Sequence, residues 1–190
     1  MKALLLSGGI ESTAIAYWLR PDIAITIDYG QLAAAGEIRA SAAIANELGV
    51  EHIVVTSDSY LSAPPARASG SLWWPYRNQL LITLAAINLH DRPISELWIG
   101  LVNGDIYKDC KPEFMRAMTD LMLIQEQRVL VIAPAIALTT LELLTASNVP
   151  QDLLGASLSC HFGELPCGIC AGCSKSRTVL REYARIKQQT

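Results

Sequence analysis

This sequence has little charge. Asp, Glu, Lys and Arg together make up 17% of its 190 residues, with a formal net charge of −3 and a pI near 5.6. A surface that neutralises a phosphate backbone needs an excess of Lys and Arg, so nucleic acid is not an expected partner. No apolar run approaches the roughly 18 residues that span a bilayer, and the first residues, a short strand pattern with one lysine, lack the layout of an export signal. The expectation is a soluble, cytoplasmic protein with no membrane partner. Two phosphate-binding patterns are also missing: the Gly-x-x-x-x-Gly-Lys-Ser/Thr spacing of a Walker loop and the Gly-x-Gly-x-x-Gly of a dinucleotide fold. There is no internal repeat and no low-complexity stretch. What the chain does have is apolar bulk, 51% of residues, enough for one domain to bury a full core without disulfides.

The most informative stretch is the first strand pattern and the turn that leaves it. Lys2-Ala3-Leu4-Leu5-Leu6 is followed by Ser7-Gly8-Gly9-Ile10-Glu11-Ser12 and then by Thr13 to Leu19, which has helical composition. Strand, glycine turn and helix start together make an anion site. Glycines bring bare amides close to a phosphate, and a helix N-terminus adds unpaired N–H groups and partial positive charge. Ser7, Ser12 and Thr13 offer hydroxyl donors. A tight turn with glycines present for packing alone is the other reading.

Further along, Ile23 to Ile27 reads as a buried strand running into Asp28-Tyr29-Gly30-Gln31, then a helix from Ala33 to Leu48 stopped by Gly49, then a strand over His52 to Val55. Strand and helix in alternation predict a parallel sheet covered on both faces, with ligands at the carboxyl ends of the strands. Ser57 to Pro75 is rich in turn residues and reads as a loop over the site. A helix follows over Gln79 to Leu89 with Asn78 as its cap, then a strand over Glu96 to Gly100. Next come a polar loop through Asn103 to Cys110, a helix opened by Pro112 and Glu113, and a fifth strand over Val129 to Ile132. Thr139 to Glu142 has capping-box spacing and starts a short helix that stops before Pro150. The domain reading is an α/β domain over 1–150 and a C-terminal four-cysteine segment with a helix over 151–190, packed on the same body.

Four of the five cysteines, Cys160, Cys167, Cys170 and Cys173, fall in one glycine-containing stretch. Overlapping Cys-x-x-Cys pairs with a further cysteine upstream can wrap four thiolates around a tetrahedral Zn²⁺, leaving no open position, so the ion is structural and holds the last helix, about Ser174 to Ile186. An iron–sulfur cluster uses the same thiolates and stays open as an alternative. Redox-active thiols need fewer cysteines, and His161 reads as a bystander or a substitute ligand. Cys110 stands apart and reads as a small packed residue or a nucleophile.

Together these stretches resemble the 7-cyano-7-deazaguanine synthase (QueC) family of the ATP pyrophosphatase, or PP-loop, superfamily. The likeness is carried by Ser7-Gly8-Gly9-Ile10-Glu11-Ser12, by Asp28-Tyr29-Gly30-Gln31 with Glu37, and by Pro75-Tyr76-Arg77-Asn78. It continues through Gly100, Asp105, Asp109-Cys110, Glu113-Phe114 and Pro134 to the four cysteines. The resemblance implies a five-stranded parallel sheet of the adenine nucleotide alpha hydrolase-like type with helices on both faces and a zinc-stapled helical segment. It also implies a homodimer and an AMP-forming carbon–nitrogen ligase: ATP adenylates the carboxylate of 7-carboxy-7-deazaguanine, ammonia gives the amide, and a second ATP drives dehydration to the nitrile. It assigns ATP, with Mg²⁺, to Leu6, Ser7, Gly8, Gly9, Ile10, Glu11, Ser12, Thr13 and Asp28. Catalysis falls to Ser7, Glu11, Ser12 and Arg77. The substrate falls to Tyr29, Gln31, Arg77, Asn78, Asp105 and Asp109, with Trp73, Trp74 and Tyr76 as stacking candidates.

The departures from the family pattern matter as well. Glu11 stands in place of aspartate, Tyr76 in place of glycine, Leu32-Ala33 in place of a basic pair, and Thr140 in place of a lysine before the helix acid Glu142. The basic residue after the last cysteine is displaced to Lys175 and Arg177 on either side. These changes leave three alternatives beside the nitrile-forming reading: a ligase that joins the activated deazapurine to another amine, such as that of a protein or peptide; a weakened nucleotide-binding scaffold; and a tRNA-modifying pyrophosphatase, against which the acidic balance counts.

Overall fold

The computed structural model describes residues 1–56 and 75–189. Five strands, β1 (Lys2–Leu5), β2 (Ile23–Asp28), β3 (Glu51–Thr56), β4 (Glu96–Trp98) and β5 (Leu130–Ile132), form one sheet in the order β3-β2-β1-β4-β5. Every pair is parallel, with Ala3 opposite both Ile23 and Leu97, and Leu97 opposite Val131. The central strands are covered on both sides, which is why β1 and β2 read as unbroken apolar runs.

Among the described residues, seven α-helices surround the sheet: α1 (Ile10–Leu19), α2 (Ala34–Leu48), α3 (Arg77–Asn88), α4 (Pro112–Leu123), α5 (Thr140–Ser147), α6 (Gln151–Gly155) and α7 (Ala171–Gln189), with a short 3₁₀ turn at Lys108–Cys110. Alternate residues of β1 face opposite layers, as strand geometry requires. Ala3 and Leu5 pack with Ile82 and Ala85 of α3 and Met115, Met118 and Met122 of α4. Leu4 and Leu6 pack with Ile10 and Ile15 of α1, Ile44 of α2, Leu143 and Leu144 of α5, and Tyr183 of α7. The expected sheet with helices on both faces is therefore the observed one.

Local signals set most boundaries. Gly49 ends α2 in the left-handed region at φ 66°, Pro112 opens α4, and Thr139 and Glu142 close a reciprocal capping box at the start of α5. Other boundaries moved. Helix α1 begins at Ile10, immediately after the glycines, and α7 runs from Ala171 to Gln189, longer than expected at both ends. Asn78 is not a cap: Tyr76, left-handed at φ 72°, precedes the helix, and Asn78 is inside it and buried. Its amide instead donates to the Asp109 carbonyl at 3.2 Å, tying α3 to the 3₁₀ turn. Helix α6 had no periodic signal, being a single short stretch after Pro150. The loop expected over Ser57 to Pro75, with Trp73 and Trp74, lies outside the described residues except for Pro75.

The chain steps outward from β1 to β3 and then returns across β1 to β4. The reversal point between β1 and β4 opens a crevice at the carboxyl ends of the strands, where sheets of this kind bind ligands. Helix α7 is fixed to this body by Tyr183, 1% exposed, whose hydroxyl donates to the Val149 carbonyl at 2.8 Å.

The capping box gives a test of the local reading. Thr139→Ala removes the hydroxyl that accepts from the Glu142 N–H, while the bond from the Thr139 backbone N–H to Glu142 Oε2 can persist, and should lower unfolding stability by about 1 kcal/mol. Urea denaturation would measure it, with an unchanged midpoint as the contrary result.

Candidate functional site

A cleft of ≈ 820 Å³ lies at the reversal point, walled by the end of β1, the glycine turn, the segment after β2, the start of α3, the segment after β4, and the cysteine segment with the start of α7. It has two polar ends and an apolar waist that includes Ile25, Ile27, Leu81 and Ile99.

One end is the glycine turn. Gly8 takes φ 74°, and a β-carbon there would meet Ala40 Cβ at 2.8 Å and the Glu37 carbonyl at 2.9 Å, so only glycine allows the turn to lie against α2. Gly9 is the N-cap of α1 and offers no side chain to the first-turn amides, leaving those N–H groups for a ligand. The Ser7 and Ser12 hydroxyls stand 3.1 Å apart. Thr13 is turned inward, fully buried, with its hydroxyl on the Gly9 carbonyl at 2.8 Å. Leu6, Ser7, Gly9, Ile10, Glu11 and Ser12 all line the cleft.

Glu11 is the carboxylate of this end. Its Oε1 accepts from Thr140 Oγ1 at 2.9 Å and pairs with Lys175 Nζ at 2.8 Å. Three departures from the family pattern thus meet at one oxygen atom. Burial works against the Lys175 ammonium, yet Glu11, and Asp105 beyond it, hold its pKa above the ordinary lysine value.

The other end gathers Tyr29, Gln31, Glu37 and Arg77. Gln31 accepts from the Tyr29 backbone N–H at 2.9 Å and donates to Glu37 Oε2 at 2.7 Å. Burial raises the Glu37 carboxyl above its usual range, against the pull of Gln31 and Arg77. Burial and then Glu37 push the Tyr29 phenol up to about 12, while the Arg77 guanidinium, hydrogen-bonded to it, works the other way. A half-hidden carboxyl, an amide and a guanidinium side by side can read the donors and acceptors of a flat polar ring and hold an anion.

Not every expected residue reaches the cleft. Asp28 stands off its wall, its Oδ1 accepting from the Gly30 N–H at 2.8 Å in a local turn. Asp109 is buried beneath, whereas Asp105 and Asn78 line the cleft. Tyr76 is 74% exposed and outside the lining. Cys110 lines the floor, but burial, with Asp105 and Asp109 nearby, pushes its thiol up to about 11, so it is a neutral packed group and not a poised thiolate. Lys175, Glu37 and Ser159 were not assigned roles in the cleft from sequence, and His161 was weighed only as a bystander or substitute metal ligand. The only signal for Lys175 was a basic residue displaced after the last cysteine.

The cysteine segment closes the cleft from the side. Cys160, Cys167, Cys170 and Cys173 present sulfurs all within 4.8 Å of one another, an arrangement able to hold a metal ion. Backbone N–H groups of Cys170 and Cys173 point at the sulfurs of Cys167 and Cys170 at 3.4 and 3.3 Å. The segment docks by close backbone approach. Leu158 N–H donates to the Gly8 carbonyl at 2.8 Å, a β-carbon on Gly36 would meet Leu158 at 2.4 Å, and one on Gly172 would meet the Ser159 carbonyl at 2.0 Å. Arg39 pairs with Glu164 at 2.6 Å across the same contact.

Comparison with known proteins agrees with this architecture. The model of the family described as "Queuosine biosynthesis protein QueC" matches residues 2–69 and 62–184, and the chain belongs to that family. It is 29% identical to the 7-cyano-7-deazaguanine synthase of Methanoculleus marisnigri over 94% of this chain and 92% of that protein. It is 30% identical to that of Methanosarcina barkeri over 91% of this chain and 90% of that protein. Among solved structures it shares its fold with the U34-tRNA thiolase NcsA from Methanococcus maripaludis with its [4Fe-4S] cluster, at TM-score 0.58 and 19% identity, covering 100% of this chain and 72% of that one. Among the described residues no helix is long and apolar enough to cross a membrane.

If the four cysteines hold a metal that braces this contact, Cys170→Ser should lower bound metal and melting temperature together. Mass-spectrometric metal analysis beside a thermal melt would measure both, and metal loss with an unchanged melt would separate the ion from the fold.

Proposed function

We propose that this QueC-family chain is an AMP-forming ligase that adenylates the carboxylate of a deazapurine, 7-carboxy-7-deazaguanine, and passes it to ammonia on the way to a nitrile. The observation that carries this reading is one cleft with a free-amide glycine turn at one end and the Gln31, Glu37 and Arg77 cluster at the other. In it, ATP lies with its phosphates on Ser7 to Ser12 and the first turn of α1, and the deazapurine lies toward Tyr29 and Arg77.

The chemistry is positioning and charge stabilisation, with no covalent nucleophile on the protein. A substrate carboxylate oxygen attacks the α-phosphorus, the bond to the bridging oxygen breaks, and pyrophosphate leaves with its negative charge taken up by the backbone N–H groups of the turn. Ammonia nitrogen then attacks the acyl carbon and expels AMP, losing a proton to give the amide. The amide oxygen then attacks the α-phosphorus of a second ATP and expels pyrophosphate, and departure of AMP with loss of both N–H protons leaves the nitrile. Arg77 holds the carboxylate and keeps it in line, Ser7 and Ser12 donate to phosphate oxygens, and Gln31 with Asn78, Asp105 and Asp109 shapes the ring pocket and its support.

The cysteine set fits Zn²⁺. A Zn–S bond of about 2.3 Å places thiolates about 3.8 Å apart on a tetrahedron, and Cys167 and Cys173 sulfurs stand 3.9 Å apart. With four thiolates and no open position, the ion supplies structure and not chemistry.

Incubation of the purified chain with MgATP, 7-carboxy-7-deazaguanine and ammonium tests the reading, with nucleotide and purine products resolved by mass spectrometry. AMP together with nitrile is expected; AMP with amide alone would make it a ligase that stops at the first half, and no AMP would overturn it. The glycines supply a sharper test. A β-carbon on Gly9 meets nothing closer than Ser7 Oγ at 3.4 Å, so Gly9→Val should fold normally and yet fill the phosphate seat, lowering AMP formation at least about 100-fold. Undiminished turnover would remove the phosphates from this turn.

A further inference from the structure

The phosphate end of the cleft contains a carboxylate, which is an awkward neighbour for a polyphosphate. The Glu11 side chain is 20% exposed, and repulsion between like charges grows where water is partly excluded. Among the described residues, the Lys and Arg side chains that line the cleft are Arg77 and Lys175. Arg77 is hydrogen-bonded to Tyr29 beside Glu37. Lys175 sits on Glu11 at 2.8 Å while its side chain keeps 46% of its surface exposed, so the ammonium can meet a second anion without leaving the first.

A second observation points to the same place. Ser159 Oγ is buried without a hydrogen-bond partner, and it stands 3.8 Å from where a β-carbon on Gly9 would be, directly over the glycine turn. A hydroxyl left unpaired in a cleft wall costs free energy unless a ligand satisfies it. Both residues belong to the cysteine segment: Ser159 precedes Cys160, and Lys175 follows Cys173 on the first turns of α7.

The geometry points to a phosphate site that is completed by the metal-binding segment: Lys175 is its cation and Ser159 its neutral donor, facing the glycine turn across the bound polyphosphate. Thr140 donates to the same Glu11 oxygen as Lys175 and keeps the carboxylate turned aside. The cysteine cluster then does more than staple the last helix, because the position of Lys175 and Ser159 depends on it. This role presupposes the ATP-using activity proposed above only for the identity of the ligand.

Calorimetric titration of the metal-loaded full chain with MgATP tests it without requiring turnover. Lys175→Ala should weaken MgATP binding about tenfold or more, as expected for a charge-assisted contact to phosphate, with metal content and melting temperature unchanged. Ser159→Ala should weaken it less, by about three- to tenfold. Adding Thr140→Lys to Lys175→Ala returns a cation to the same Glu11 oxygen from α5 and should recover most of the loss. Binding by Lys175→Ala within about twofold of the parent would overturn the assignment, as would a loss that tracks loss of metal or a double variant that recovers nothing. Lack of MgATP binding by the parent chain would overturn it too. A parent that binds MgATP but forms no AMP sinks the ligase reading alone, whereas AMP formation indifferent to Lys175 sinks this inference alone.

Discussion

Much of this molecule depends on a single backbone contact, the Leu158 N–H donating to the Gly8 carbonyl at 2.8 Å. It joins the turn after the first strand to the segment that carries the cysteines. The approach is possible because Gly8, Gly36 and Gly172 have no β-carbon, each standing where a side chain would overlap a neighbouring element. The apolar cluster beneath is small, only Ala40, Leu158, Cys160, Cys170 and Cys173. Burial on that scale stabilises a segment with no regular secondary structure poorly, which is the circumstance in which a bound metal contributes most to order.

The cleft that this contact closes is polar at its ends and apolar between them. Buried or half-buried charges would be expensive there if left single. Each end handles the problem differently. At the glycine turn, Glu11 is compensated by a full cation and a hydroxyl. At the far end, Glu37 is met by an amide and by Arg77 nearby, and burial favours its neutral form. On the proposed reading, the first end suits phosphate charge and the second an uncharged hydrogen-bonding ring with a single anionic substituent.

Residues that stand far apart along the chain, Glu11, Thr140 and Lys175, meet at one oxygen atom. Glu11 reaches further than aspartate, Thr140 is shorter than lysine, and Lys175 comes from the last helix to the oxygen that both approach. Counting cations near each motif in sequence suggested a depleted site, whereas the folded chain restores one at a distance no local pattern could register.

The order of strands and helices, the glycine turn, the stop at Gly49, the capping box at Thr139 and the four cysteines were all legible, because each is set by interactions among residues a few positions apart. The start of α3 was misread for the same reason: Asn78 has the residue type of a cap, but its partner, the Asp109 carbonyl, lies far along the chain. Asp28 and Thr13 had the right chemistry, but short-range hydrogen bonds, from the Gly30 N–H to Asp28 and from the Thr13 hydroxyl to the Gly9 carbonyl, engage their side chains locally. The sequence by itself determined which elements form and which groups are available to hold phosphate and metal. Tertiary structure decided which of those groups face one another, since the pairing of Glu11 with Lys175 and of Gly8 with Leu158 rests on sheet order and helix packing, which bring distant residues together without a local trace.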